Sequence, residues 1–317
     1  EFVGSNVIIT HSTFDIDIAG SSYTGIMDDS SDILVSDSTF DVLVTDGGDV
    51  TALFLMSYNA TLCNVAINAE AHDYSMLTAV WGLYAMYMNI INSSISVAAH
   101  NGSVVYGVAP WMLYGELYVE GSEITATCID YMGDTYIEGF DIIDSYRWFT
   151  VTIKDSVING TCYGNGTLEV IFAYNSSGIL IEGSELNLHT YDYAMADLIF
   201  DYASADVEIV DSAINLYTND GTPWATAIFP YGTESLSVVG GSIMLVAHAT
   251  DYETYFVIPI FLYGAVGIMS DVSFTIYGYD VSYEYGIYVY LGALVMQNTE
   301  YTIWAYGESI IITALSV

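Results

Sequence analysis

One ten-residue pattern recurs along the whole chain and constrains the fold more than any other feature. ILIEGSELNL (Ile179 to Leu188) and VEIVDSAINL (Val207 to Leu216) lie twenty-eight residues apart and match position by position. Further copies begin at Val7, Ile33, Ala60, Met88, Leu117, Val151, Leu236, Gly267 and Leu294, eleven in all. The eighth position reads Phe14, Phe40, Ile67, Ile95, Ile124, Ile158, Leu186, Ile214, Ile243, Phe274 and Tyr301, and is never charged. Its members are 26 to 34 residues apart, a spread expected when a repeat protein takes its insertions in loops. The copies run from end to end, so residues 1–317 read as a single domain.

Within each copy apolar and polar residues alternate with period two, which marks a half-buried strand. In ILIEGSELNL the apolar positions are one and three, then eight and ten. The odd step between three and eight would turn a continuous strand inside out, so the chain must bend at Gly183-Ser184. The pair at this bend is usually Asp, Asn or Gly followed by Ser, which suits a tight corner. Position twelve is a column of small residues, including Ala71, Ala99, Cys128, Cys162, Thr190 and Thr218. Position fourteen is mostly Asp, Asn or Gly (Asp46, Asp73, Asn101, Asp130, Gly164, Asp192, Asp220, Asp280, Gly307) and reads as a second corner. A further apolar strand, ending at Tyr174, Tyr202, Tyr231 or Tyr263, closes the repeat.

Three short strands and three corners per repeat, stacked in parallel, make an all-β fold of the parallel β-helix or β-solenoid kind with about eleven turns. Equivalent residues of successive turns then stand roughly 4.8 Å apart and every column becomes a ladder. From Gly121 onward position five reads Gly121, Asp155, Gly183, Asp211, Gly240, Asp271. Aspartates alternate with glycines, which keeps like charges about 10 Å apart, near the Debye length. Cys128 and Cys162 share position twelve in adjacent turns, close enough for an intramolecular disulfide, with two small buried thiols as the alternative.

Thirty-nine acidic residues face two basic ones, Arg147 and Lys154, for a net charge of −37, yet 53% of residues are hydrophobic. The apolar content argues against disorder. The charge repels nucleic acid, anionic lipid surfaces and polyanionic polysaccharides and attracts divalent cations or a basic partner. No run of about twenty apolar residues suggests membrane insertion, and the N-terminal residues do not read as a signal peptide, so an exported chain would already have lost its leader. Six N-x-S/T sequons, at Asn59, Asn92, Asn101, Asn159, Asn165 and Asn175, exceed the roughly two or three expected by chance and point to glycans and the cell exterior. Turn chemistry favours the same residues and is the competing explanation.

No catalytic motif stands out, and the chain reads as no enzyme and as holding no organic cofactor. Carboxylate pairs at glycosidase separation will arise by chance in so acidic a chain. His72 and His100 share position thirteen in adjacent turns, beside Asp73 and Asn101, and could hold a transition metal. An outward aromatic ladder is the stronger reading, since Tyr163, Tyr191, Tyr279 and Tyr306 occupy the same column. Cys63, the odd cysteine, sits in a largely polar column and could link molecules.

The first copy starts at Val7 and an apolar, β-branched strand, SIIITALSV, runs to Val317. Neither end has room for a capping helix, so Val7, Ile8 and Ile9 at one end and Ile310, Ile311 and Ile312 at the other are expected to dock copies head to tail. That contact repeats without limit, as a filament, or as a ring if it curves. In repeat, composition and uncapped ends the chain resembles the amyloid-like sheath proteins of filamentous methanogenic archaea. That resemblance implies a structural, protective, extracellular cell-surface layer, with glycosylation and cross-linking as options. Two other classes stay open at this point: a secreted β-helix enzyme acting on neutral polysaccharide, and a trimeric adhesin or spike-like module whose aromatic ladders grip sugars.

Overall fold

The computed structural model describes residues 2–83, 85–111, 115–130, 135–143, 149–219, 222, 224–248, 256–279, 283–307 and 311–316. Among these there is no helix, hence none long and apolar enough to cross a membrane. The chain is a β-solenoid. The rung of Leu186 shows the plan: strands Gly178–Glu182, Glu185–Thr190 and Met195–Tyr202 follow one another round the coil. Each pairs in parallel with its counterpart one repeat on, for example Ile179 with Val207, Leu186 with Ile214 and Tyr202 with Tyr231.

The second strands form an eleven-stranded sheet of their own. Two of its eleven strands are edges, which leaves nine flanked on both sides. First and third strands belong to one twenty-one-stranded sheet, because the fifteen-residue strand Ser22–Ser36 runs without a break from the third strand of one rung into the first of the next. Its early half pairs with Asp49–Leu55 and its late half with Asn59–Cys63.

The alternation read from the sequence is the alternation of burial. At position eight, Phe40, Ile67, Ile124, Ile158, Leu186, Ile214 and Phe274 are fully buried, and positions one, three, ten and twelve face the same interior. The core is thus a set of apolar columns that runs the length of the coil, each side chain resting on its own counterpart.

The bend predicted at positions five and six is the same in every rung: two residues separate the first and second strands eleven times over. All eleven residues at position five have left-handed backbone, φ +47° to +70°. Only Gly, Asn and Asp adopt this conformation readily, which is why they fill ten of the eleven places, His11 being the other. The N–H of position five donates to the next rung, as Asp155 does to Glu182 O at 3.0 Å, and the N–H of position seven donates to the previous one, as Glu185 does to Ser156 O at 2.9 Å.

From Ser93 to Ser212 position six is a buried serine ladder, bounded by Val65 on one side and Gly241 on the other. Ser184 Oγ donates to Glu182 O at 2.9 Å within its own rung and accepts from the Ser156 N–H at 3.2 Å. Ser93, Ser122, Ser156 and Ser212 repeat the arrangement. The buried serine therefore satisfies its own polar groups and a neighbour's backbone N–H internally, while position five beside it is exposed.

The alternation of Asp and Gly has a steric cause beside the electrostatic one. Each position-five side chain leans over the next rung: a Cβ on Gly183 would meet Asp155 Oδ1 at 2.7 Å, and one on Gly240 would meet Asp211 Oδ1 at 2.1 Å. Where the rung after an aspartate does carry a side chain, it is Asn. Asn64 Nδ2 donates to Asp37 Oδ1 at 3.1 Å and Asn298 Nδ2 to Asp271 Oδ1 at 3.2 Å.

The second corner is left-handed at Gly20, Asp46, Asp73, Asn101, Gly164, Asp192 and Gly307, as position fourteen suggests. Asp130 corrects that expectation. It continues the strand Glu123–Asp130, fully buried, and its Oδ2 accepts from the Thr135 N–H at 2.7 Å, because here the chain holds a longer excursion before the next strand. Asp220 and Asp280 lie outside the described residues.

Candidate functional site

Stacking turns outward-facing columns into ladders. Tyr174, Tyr202, Tyr231, Tyr263 and Tyr290 form a continuous row with ring centroids 5.3, 5.0, 4.3 and 5.2 Å apart. Two residues before each lies a second row, in which Phe172, Phe200, Phe229 and Phe261 are 5.7, 5.1 and 4.7 Å apart. In the tyrosine row the first three pairs lie within 12° of parallel, so each ring covers its neighbour's face. What reaches solvent is edges and hydroxyls. Tyr163 on Tyr191 and His248 on Tyr279 on Tyr306 repeat this at position thirteen, as the sequence suggests. A polar ladder not singled out in the sequence runs at position nine: Asn215 Nδ2 donates to Asn187 Oδ1 at 2.8 Å, and Asn187 Nδ2 to Asn159 Oδ1 at 3.0 Å.

His72 and His100 stack at 4.3 Å with 3° between their planes. Their carboxylate partner is neither Asp73 nor Asn101, which bond each other at 3.3 Å. It is Glu70, whose Oε1 lies 2.7 Å from His72 Nε2 and 3.1 Å from His100 Nε2. Glu70 was legible in principle, since it lies two residues before His72 and period two puts both on the outer face. His100 reaches it diagonally because Ala98, the residue in register with Glu70, is only a methyl. Burial, then the neighbouring His72, hold the His100 imidazole below its ordinary pKa, against the pull of Glu70. Among the described residues no other trio of His, Cys, Asp or Glu brings ligand atoms within 4.8 Å of one another. A shallow hollow of about 290 Å³ opens beside the trio, lined by Asp15, Asp41, Asn68, Glu70 and Ala98 among others.

Cys128 and Cys162 are in-register partners, as expected, but both are free thiols rather than a disulfide. Side chains that leave adjacent parallel strands at the same register run side by side and do not take up the crossed geometry that a disulfide needs. A Cβ on Gly166 would meet both sulfurs, at 2.2 and 3.3 Å, so the two thiols fill the space that this glycine leaves. The hydrogen bond with Cys128, followed by burial, pushes the Cys162 thiol far up, and it stays protonated. Cys63 is half-buried and free, in register with Ser36 and Ile91.

The six sequons divide by environment. Asn101 and Asn165 are exposed at second corners, Asn92 and Asn175 take left-handed backbone at other corners, and Asn159 and Asn59 lie in strands with their amides engaged. Asn59 Nδ2 bonds Asp32 Oδ1 at 2.5 Å, and Asn159 belongs to the position-nine ladder.

One acid that sequence reasoning missed is Asp197, half-buried between Glu169 and Thr226 in the third-strand file. Its Oδ1 accepts from Trp224 Nε1 at 2.9 Å and from Thr226 Oγ1, yet burial pushes its pKa up to about 6. Another hollow, of about 470 Å³ along the first corner, has two carboxylates in its lining, those of Glu123 and Asp155.

At the ends, Val7 and Ile9 sit in core columns and Ile8 alternates outward, 69% exposed. Ile311 and Ile312 pair with Tyr283 and Glu284; Ile310 lies outside the described residues. The described hydrophobics that pack on the core while staying partly open are Val7, Phe14, Ile18, Leu294 and Tyr301, all from the first and last copies. Met296 and Ile303, in core columns three and ten, are each 37% exposed in the last copy, where the inner rungs bury their equivalents. No protein family, curated protein or solved structure matched this chain.

Proposed function

We propose that this chain is a structural protein that stacks end to end on copies of itself, extending the parallel sheets from molecule to molecule. The single observation that carries this reading is the match between its first and last rungs, column by column. Seated on the first rung of a second copy, Leu294 meets Val7, Met296 meets Ile9, Tyr301 meets Phe14 and Ile303 meets Ile16. Phe274 stacks on Tyr301 at 4.6 Å and Phe14 on Phe40 at 4.6 Å, so the junction makes one unbroken aromatic column. Among the described residues of the second strands no carboxylate stacks on another across it: Glu300 meets Thr13, Thr302 meets Asp15 and Trp304 meets Asp17. Like charges across an in-register strand pair would be destabilising.

The contact is heterologous and grows into a filament, a hoop or a tube according to its curvature. An extracellular protective layer at the cell surface, of the sheath kind that the chain resembles, suits a chain of net charge −37 with exposed sequons at Asn101, whose amide bonds Asp73, and at Asn165. The sugar-gripping alternative is less well supported, because ladders whose ring faces cover one another offer no flat platform for a sugar ring.

Electron microscopy of the purified chain tests the reading. Filaments, hoops or tubes with a meridional spacing near 4.8 Å are expected. Met296→Glu and Ile303→Glu, at the open rung, should leave the monomer folded and abolish assembly. Discrete monomers under all conditions, or filaments indifferent to both substitutions, would overturn it.

A further inference from the structure

We propose that Glu70, His72 and His100 form a lateral site for one divalent transition ion of the zinc class, clamping two adjacent rungs. Two imidazole nitrogens and one carboxylate oxygen, all within 4.8 Å of one another, make a donor set that zinc and its neighbours favour. In the unbound chain both Nε2 atoms lie within hydrogen-bond distance of the same oxygen, Glu70 Oε1. A single cation in that space takes the place of these hydrogen bonds, each neutral imidazole binding through Nε2 with its one proton on Nδ1, and lets all three donors face one charge.

The fold brings this about by register. Glu70 and His72 share the outer face of one strand end, and His100 stands one rung on, over His72. Ala98 keeps the space above the carboxylate open. The rings are stacked, so the ion must draw their Nε2 ends together. Side chains 19% to 48% exposed on an outer face can make the small rotations that this needs without moving backbone. The fourth position faces solvent, and the adjoining hollow offers Asp15 and Asp41 as an acidic approach. His189 and His248 stack on Tyr217 and Tyr279 and belong to no such trio, which makes them internal controls.

A chain of net charge −37 will collect cations indiscriminately, so the experiment has to separate this site from the acidic coat. Cobalt(II) titration of the full chain, with magnesium in large excess, is read by visible absorption and followed by displacement with zinc(II). The expected result is one cobalt per chain, with ligand-field bands that zinc abolishes and magnesium does not. His72→Ala and His100→Ala should each weaken binding about tenfold or more, and Glu70→Gln by a smaller factor, while His189→Ala changes nothing. Circular dichroism confirms that each variant keeps its fold. Displacement by magnesium, or a site that survives in the doubly substituted His72→Ala, His100→Ala chain, would overturn the assignment. Neither result depends on whether the chain forms filaments.

Discussion

The two corners on either side of the second strand are built from the same residue types, yet they obey different rules. The first always spans two residues, while the second spans two to seven. At the first, left-handed backbone, serine ladder and leaning side chain interlock with the rungs above and below. At the second, Gly47 has φ +73° and nothing within 4 Å of where a Cβ would stand. Both corners hydrogen-bond to neighbouring rungs, the second through contacts such as Gly47 N–H to Asp73 O at 3.0 Å and Ser75 N–H to Ser103 Oγ at 3.2 Å. What differs is space: a corner whose side chains lean on the next rung cannot change in one rung alone, whereas one with open space beside it, as at Gly47, can, and the spread in repeat length follows from the difference.

The largest effect expected from this contrast comes from a β-branched residue at the first corner. Gly183→Val combines a left-handed φ of +59° with a Cβ held 2.7 Å from Asp155 Oδ1. It should cost about 3 kcal/mol or more, read by denaturant unfolding of the unassembled chain. Gly47→Ala at the second corner meets only the backbone term and should cost about 1 to 2 kcal/mol. Equal costs would mean that interlocking with neighbouring rungs contributes nothing.

Ser184→Ala comes next. It removes the acceptor of the Ser156 N–H without touching the left-handed residue, leaving a buried donor unmet at a cost of about 1 to 3 kcal/mol. The ladder has a direction, and this sharpens the test. Amide exchange should accelerate at Ser156, whose acceptor is gone, rather than at Ser184, whose own N–H still donates to Ser212 Oγ. The opposite pattern would show that the ladder is misread.

Much of this was legible from spacing alone. The slip between positions three and eight fixes the first corner, and the never-charged eighth column fixes the core, because both follow from period two on a surface with one buried side. The small residues at position twelve and the aromatics at position thirteen placed themselves for the same reason. What stayed hidden depends on neighbours twenty-eight residues away. Glu70 joins His100 only because Ala98 is small, and the Asp197 carboxyl is raised by burial in the stacked file, against the hydrogen bonds that Trp224 and Thr226 donate to it. Cys128 and Cys162 were placed correctly, but spacing sets proximity and not the relative direction of two sulfurs. Asp130 shows the converse error, a corner residue type that the longer excursion behind it converts to strand.

Charge can be separated from space at the first corner by Gly183→Asp, which puts carboxylates in three consecutive rungs with Asp155 and Asp211. Its like-charged neighbours should raise the pKa of the new carboxyl above its unfolded value of about 3.9. The sign follows: the electrostatic penalty is absent below the unfolded pKa, grows as pH rises through the raised folded pKa, and is complete above it. About 1 to 2 kcal/mol is expected at neutral pH, shrinking with added salt. A penalty that salt and acid leave unchanged would be steric alone.

The smallest effect should come from Gly183→Asn, which presents the same bulk without the charge. Asn enters left-handed backbone more readily than other side-chain-bearing residues, and the chain already uses it after an aspartate twice, at Asn64 over Asp37 and Asn298 over Asp271. In both, the Asn amide donates to the carboxylate below, so Asp155 should turn aside slightly and accept the new donor. The contact at 2.7 Å is with the far end of a side chain rather than with backbone, and such an adjustment is cheap. A change within about 1 kcal/mol, independent of salt, is expected. If Asn instead cost as much as Val, the glycines of this column would be required for space alone. The alternation of Gly183 with Asp155 and Asp211 would then reflect packing, with no part left for charge or for the Asn–Asp pairing seen at either end of the coil.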